Sequence, residues 1–348
     1  MNNTVKNILI VRTDRIGDVV LSLPMADIIK KYYPDCKVSF LVRNYTKEIL
    51  SNNSLIDEII ILQEENNKVN FWGNLKNISS KKFDACIVVN PTFVVALILF
   101  FSRIKQRIGT GYRWYSFLFN SKFYEHRKYA EKHELEFNVN MLQKIGIRET
   151  VDERNAKYNL SADNKALKSV DEILLNENID IKKPLIIIHP GSGGSSIDLP
   201  VNKFIKLAKR LTEDDLQIII TGNENEVEIC NQLVLSGRTK NLAGRFNLAQ
   251  LIALISKSAM FISNSTGPIH IAAALGKYTV GFYPKIISCS KERWAPYTEK
   301  RLIYIPQIDC KDCSRKQCER LNCMETIDIN NVCNDIKKVL DQIKETES

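Results

Sequence analysis

Short, uninterrupted apolar runs alternate with longer helical patterns along nearly the whole 348-residue chain, and this alternation narrows the fold more than any other feature. In the first half the runs fall at 7–12, 37–42, 84–90 and, more weakly, 106–109; in the second they fall at 184–189, 216–221, 259–263 and 278–282. They are continuous rather than alternately polar and apolar, as in parallel strands covered on both faces. Helical patterns separate them at 19–33, 133–145, 201–211, 227–236 and 248–256. Such alternation predicts right-handed βαβ units, open parallel sheets and an α/β fold. The rhythm stops once, between 157 and 183, where the chain becomes charged and Asn-rich around one helical stretch at 163–176. The expected organisation is two Rossmann-like domains facing a central cleft, at 1–160 and 184–327, with a linker helix region at 161–183 and a C-terminal helix at 328–348. No internal repeat shows in the sequence.

The 49 Lys and Arg against 40 Asp and Glu leave a formal charge of +9, which suits an anionic partner or a merely solvated basic surface. No segment reaches the ~20 uncharged apolar residues of a spanning helix. The start of the chain runs into its first apolar stretch without a small-residue cleavage site, so a cytoplasmic location is expected.

Three loops follow strand ends. Residues 12–18 (RTDRIGD) open the first helix, with Asp18 either capping it or facing the crevice with chemistry to do. Residues 189–196 (HPGSGGSS) carry Gly191, Ser192, Gly193, Gly194, Ser195 and Ser196, a turn rich in exposed amides and hydroxyls of the kind that holds phosphate oxygens. It lacks the Gly-Lys-Ser/Thr ending of a P-loop, and no GxGxxG follows the first strand. Residues 264–270 hold Asn264, Ser265, Thr266, Gly267 and His270 before a helix of small residues. His270 is either a phosphate donor or a packed helix-start residue.

Residues 10–24 (IVRTDRIGDVVLSLP), 189–196 and 263–277 (SNSTGPIHIAAALGK), with Arg107-Ile108-Gly109, 133–136 (HELE) and 241–244 (NLAG), resemble glycosyltransferase family 9, which includes the ADP-heptose:lipopolysaccharide heptosyltransferases. The resemblance implies a GT-B fold and inverting, metal-independent sugar transfer, with the nucleotide-sugar donor in the C-terminal domain and the acceptor in the N-terminal one. It makes Asp18 the general base, and it places a donor diphosphate against the 191–196 and 264–270 loops. It also implies a lysine where this chain has Ile197 and an aspartate where it has Ser265; Lys203 is the candidate substitute cation. The acceptor it implies is a lipopolysaccharide core or another anionic glycolipid. A nucleotide-sugar epimerase on the same fold and a non-catalytic nucleotide-sugar-binding protein are the alternatives.

Residues 101–148 hold ten Lys and Arg against four acids, interleaved with aromatics. Basic residues mixed with amphipathic rings suit a headgroup surface, so Arg107, Arg113, Lys122, Arg127 and Lys128, with Arg15 nearby, are expected on an acceptor and inner-membrane side. Nothing else resembles a nucleic-acid module, and no nucleic-acid partner is expected. Cys310, Cys313, Cys318 and Cys323 crowd into fourteen residues, a spacing open to a structural zinc, redox pairing or inert thiols. No metal is expected in catalysis.

Overall fold

The computed structural model describes residues 5–180, 183–212, 216–308 and 313–347, which form two compact units, Met1–Arg127 with Glu131–Ser161, and Lys128–Ala130 with Ala162–Ser348.

The first unit begins with β1 (Asn7–Val11), α1 (Ile16–Val20), α2 (Pro24–Tyr32), β2 (Lys37–Val42) and β3 (Glu58–Ile61). A hairpin of β4 (Glu64–Glu65) and β5 (Lys68–Val69), then α3 (Phe71–Ser80), β6 (Ala85–Val88), α4 (Phe93–Phe101), β7 (Gln106–Thr110), β8 (Ser121–Phe123) and α5 (Glu134–Asn140) complete it. Its parallel sheet runs β3-β2-β1-β6-β7-β8. The helix expected at 19–33 is two helices, because Pro24 lacks an N–H donor and its ring obstructs the preceding turn; it starts α2 instead. Thr92 caps α4, the most apolar stretch of the chain, by accepting from Val95 N at 3.4 Å.

The second unit starts with α6 (Asn164–Asn176), capped by the Asp163 carboxylate, which accepts from the amides of Lys165 and Ala166. Then come β9 (Leu185–His189), α7 (Val201–Thr212), β10 (Gln217–Ile220), α8 (Val227–Asn231), β11 (Thr239–Asn241), α9 (Leu248–Lys257) and β12 (Met260–Asn264). It ends with α10 (Gly267–Ala274), β13 (Tyr278–Phe282), α11 (Lys291–Trp294), β14 (Arg301–Tyr304), α12 (Arg315–Arg320) and α13 (Ile329–Glu347). The sheet is parallel, in the order β11-β10-β9-β12-β13-β14. Val332, Cys333, Ile336 and Leu340 of α13 enter the core between that sheet and α7. The helix at 163–176, expected as a linker, packs on α9 within this unit.

Each sheet thus has its six strands in the sequence order 3-2-1-4-5-6, a repeat of topology that the residues do not show. In such sheets the strand order reverses between the first and fourth strands, and ligands bind beside the carboxyl ends there. The reversal points are β1/β6 in the first unit and β9/β12 in the second.

Candidate active site

At the first reversal point, β1 leads into Arg12, whose side chain is 1% exposed among three carboxylates. One guanidinium nitrogen contacts both Asp18 Oδ1 and, at 3.2 Å, Glu134 Oε1. Nε lies 2.8 Å from Asp14 Oδ1 without the alignment of a hydrogen bond, so this contact is electrostatic. Glu134, in the first turn of α5, also receives Arg127. Asn138 accepts from both arginines and donates to Leu21 O at 3.0 Å, which ties α5 to the residues after α1. Asn90, in the loop after β6, donates to Asp14 Oδ2 at 2.9 Å.

Asp18 does not cap α1: the N-cap is Arg15, and Asp18 lies in the first turn with its carboxylate turned to Arg12. Its side chain is 14% exposed where those of Arg12 and Glu134 are 1%, so it is the solvent-facing member of the triplet they form. Burial pushes its pKa up to about 6, against the pull of Arg12 and with help from Asp14 and Glu134. For Arg12 burial acts downward, and the surrounding carboxylates more than reverse it, so its pKa is raised and it stays charged.

At the second reversal point, the glycine-serine loop leaves β9. Gly193 and Gly194 have φ of +55° and +75°, the left-handed region that side chains avoid. Gly191 is required for another reason: a Cβ there would fall 1.8 Å from Glu226 Oε1. That carboxylate sits under the loop, accepting from Gly193 N at 3.3 Å and Asn223 N at 2.8 Å. Gly191→Ala must displace Glu226 and is expected to cost about 1–3 kcal/mol, read as a lowered melting temperature.

Two loop hydroxyls are buried without an aligned partner: Ser192 Oγ, beside Asp198, and Ser196 Oγ, beside Cys289. Ser195 instead donates to Ser192 O at 2.8 Å and Ser265 O at 2.9 Å, joining this loop to the one after β12. Asn264 does the same with its amide, accepting from Leu199 N at 2.8 Å and donating to Pro190 O. Ser195 and Asn264 are therefore struts between the loops rather than free ligand donors. Thr266 is the N-cap of α10 and makes no side-chain cap bond, so the first amides of that helix, from Gly267 on, are not capped by it. His270 is buried on α10, its ring edge-on to Trp294 at 6.4 Å. His189 bonds Thr221 Oγ1 at 3.0 Å, and burial lowers its pKa to about 4, so it is neutral.

Lys203 does not reach this loop: its ammonium is held by Ile327 O at 3.1 Å and Glu325 at 3.6 Å. Among the described residues, the cation that bonds the turn is Arg315, donating to Gly194 O at 3.2 Å and Ser196 O at 3.1 Å. At this loop Glu226 and Arg315 are residues that sequence reasoning missed, as it missed Arg12, Glu134 and Asn138 around Asp18; the Asn223-x-x-Glu226 capping box after β10 was the available signal for Glu226.

The expected acceptor-side cations have different fates. Arg127 is held by Glu134 and Asn138, and Arg107 donates to Leu118 O and Ile104 O. Arg15, Arg113 and Lys128 are exposed, and Lys122 is half-buried on β8. Cys310 lies outside the described residues. Cys318 and Cys323 are buried beside Ile286 with Cys289 and Cys313 against them, and no group of side chains arranged to hold a metal is found among the described residues.

The family model for glycosyltransferase family 9 (heptosyltransferase) matches residues 72–324, well over half of the chain. The chain belongs to glycosyltransferase family 9. It is a nucleotide-sugar-dependent glycosyltransferase, and the epimerase and non-catalytic alternatives fall away. A Haemophilus influenzae lipopolysaccharide core heptosyltransferase, OpsX, is 26% identical over 80% of this chain and 79% of its own length. A family 9 glycosyltransferase from Veillonella parvula superposes with a TM-score of 0.82 at 16% identity, covering 98% of this chain and 99% of that one. Escherichia coli ADP-heptose lipopolysaccharide heptosyltransferase II gives 0.78 at 18% identity, covering 97% and 99%. These likenesses establish the GT-B class of the two Rossmann-like units.

Proposed function

We propose that this family 9 enzyme moves heptose from ADP-heptose to a hydroxyl of a lipopolysaccharide core or related glycolipid, with inversion at the anomeric carbon. The proteins it resembles carry that donor or that acceptor in their names. The observation that carries the mechanism is the environment of Asp18, a carboxylate at the reversal point of the first sheet whose pKa of about 6 leaves it ionised yet basic near neutrality.

In this reading the acceptor oxygen attacks the anomeric carbon on the face opposite the diphosphate. The new C–O bond forms as the bond to the leaving phosphate oxygen breaks, and the hydroxyl proton passes to Asp18. Proton transfer is late, because the alcohol acidifies only as it bonds to an oxocarbenium-like carbon. ADP leaves with the negative charge. The buried hydroxyls of Ser192 and Ser196 and the amides opening α10 supply fixed donors for it, set in advance of the reaction. No metal has a role in the transfer step.

A donor screen tests the reading. Binding to the folded state raises stability as RT ln(1 + [L]/Kd), so ADP-heptose is expected to lift the melting temperature above that with UDP-, GDP- or dTDP-sugars. Acceptor-dependent release of ADP, with NMR showing the inverted anomeric configuration, completes the test. A larger shift with another nucleotide sugar, or a retained configuration, would overturn it.

A further inference from the structure

Helix α4 is nine residues long without a charge, and only one of its faces is covered. Val95, Ala96, Ile98 and Leu99 enter the core of the first unit, while Phe93, Val94, Phe100 and Phe101 face outward. Aromatic rings extend this face at both ends. Phe101 meets Phe71 at 6.3 Å, Phe71 meets Trp72 at 5.1 Å, and Phe93 stacks on Trp114 at 4.8 Å. Trp72 and Trp114 are 76% and 73% exposed, and they continue the apolar face of α4 rather than standing singly on the surface. The result is an aromatic row across α4.

The charges of the stretch that carries it are nearly all of one sign; the nearest acid before it in sequence, Glu65, accepts from Asn70 Nδ2 at 2.7 Å at the start of α3. Residues 71–123 contain eight Lys and Arg and a single acid, Asp84. The Asp84 carboxylate accepts from the amides of Lys6 and Asn7 at 3.0 Å, so it is held at the start of β1. Arg103, Lys105 and Arg113 are exposed and form no ion pair among the described residues. An isologous dimer through this face would set its basic rim against itself. Aromatic rings with an excess of unpaired cations, and with the nearby acids Asp84 and Glu65 bonded within the unit, match instead the headgroup layer of an anionic bilayer.

We propose that α4, with Trp72 and Trp114 at its flanks, docks the first unit on an anionic lipid surface, rings at headgroup depth and Arg103, Lys105 and Arg113 toward lipid phosphates. The surface differs from the one expected over 101–148: it takes in Trp72 and α4, and it leaves out Arg107 and Arg127, which are engaged internally. For its purpose the inference rests on the acceptor being lipid-borne; the binding itself is measured without donor or acceptor.

The test is flotation of the full-length protein with vesicles of phosphatidylcholine alone or mixed with phosphatidylglycerol. The mixed vesicles are expected to bind at least about tenfold more protein, and salt is expected to weaken that binding. The triple variant Trp72→Ser, Phe101→Ser, Trp114→Ser alters exposed positions only, so it should melt like the parent yet lose roughly tenfold or more in flotation. Brominated acyl chains should quench parent fluorescence but not that of Trp72→Ser, Trp114→Ser. Equal binding to both vesicle types, parent-like flotation of the triple variant, or a parent dimer that the triple variant abolishes would each overturn the proposal. Failed flotation with intact transfer to a detergent-solubilised acceptor removes this surface and leaves the transfer reading standing; intact flotation without transfer does the reverse.

Discussion

Asp18→Asn is expected to fold, to bind donor as the parent does, and to lose about 10²- to 10⁴-fold in turnover. Asparagine keeps the shape and an oxygen that still accepts from Arg12, so the hydrogen bond survives while the proposed base is gone. The loops proposed to hold the donor diphosphate belong to the other unit and are untouched. If Asp18 is the base as proposed, turnover of the parent should rise with pH through about 6, because only the ionised carboxylate can take the acceptor proton. The same shift predicts a stability effect of the opposite sense. The folded pKa lies above the ordinary 3.8, so ionising Asp18 costs stability, beginning above 3.8 and complete above about 6. A neutral asparagine escapes that cost. The variant should therefore melt at or above the parent temperature near about pH 7.5, with the gain vanishing below about pH 4. Turnover within tenfold of the parent would remove Asp18 as the base.

How much of this was legible in the residues follows burial. The central strands, β1, β2, β6, β9, β10, β12 and β13, announce themselves because both faces are covered and the apolar run is continuous. All four sheet edges, β3, β8, β11 and β14, escaped the reading. Their residues are mostly half-buried, so no uninterrupted run marks them. The loops were legible because glycine and small hydroxyls stand out at strand ends. What those residues touch was not. Ser195 and Asn264 read as ligand donors and prove to be ties between loops, since a short polar side chain looks the same in either role. Arg315 lies 121 residues beyond the turn it holds at Gly194, a distance at which no spacing rule operates. Arg12 and Glu134 are likewise joined only by the fold, 122 residues apart.

That long-range pair sets the second large effect. Replacing Arg12 with Gln leaves Asp18, Asp14 and Glu134 around a neutral amide, with Glu134 still balanced by Arg127. Removing one partner of a buried ionic cluster strands the charge of the others, a loss of about 3–5 kcal/mol. For units of this size that lowers the unfolding transition by roughly 10 °C. An exposed control, Arg15→Gln, should stay within about 0.5 kcal/mol. The pH dependence identifies the cause. Arg12 is the group that pulls the Asp18 pKa down, so without it that pKa moves further above 6 and the cost of ionisation extends to higher pH. The deficit of Arg12→Gln should therefore be small in acid, where the carboxylates are protonated in both proteins, and grow as the pH rises. The acidic limb of turnover should move up with it. A variant that melts like the parent at neutral pH, or whose deficit shrinks as the pH rises, would show that Arg12 does not hold this cluster together and that the basicity of Asp18 is set elsewhere.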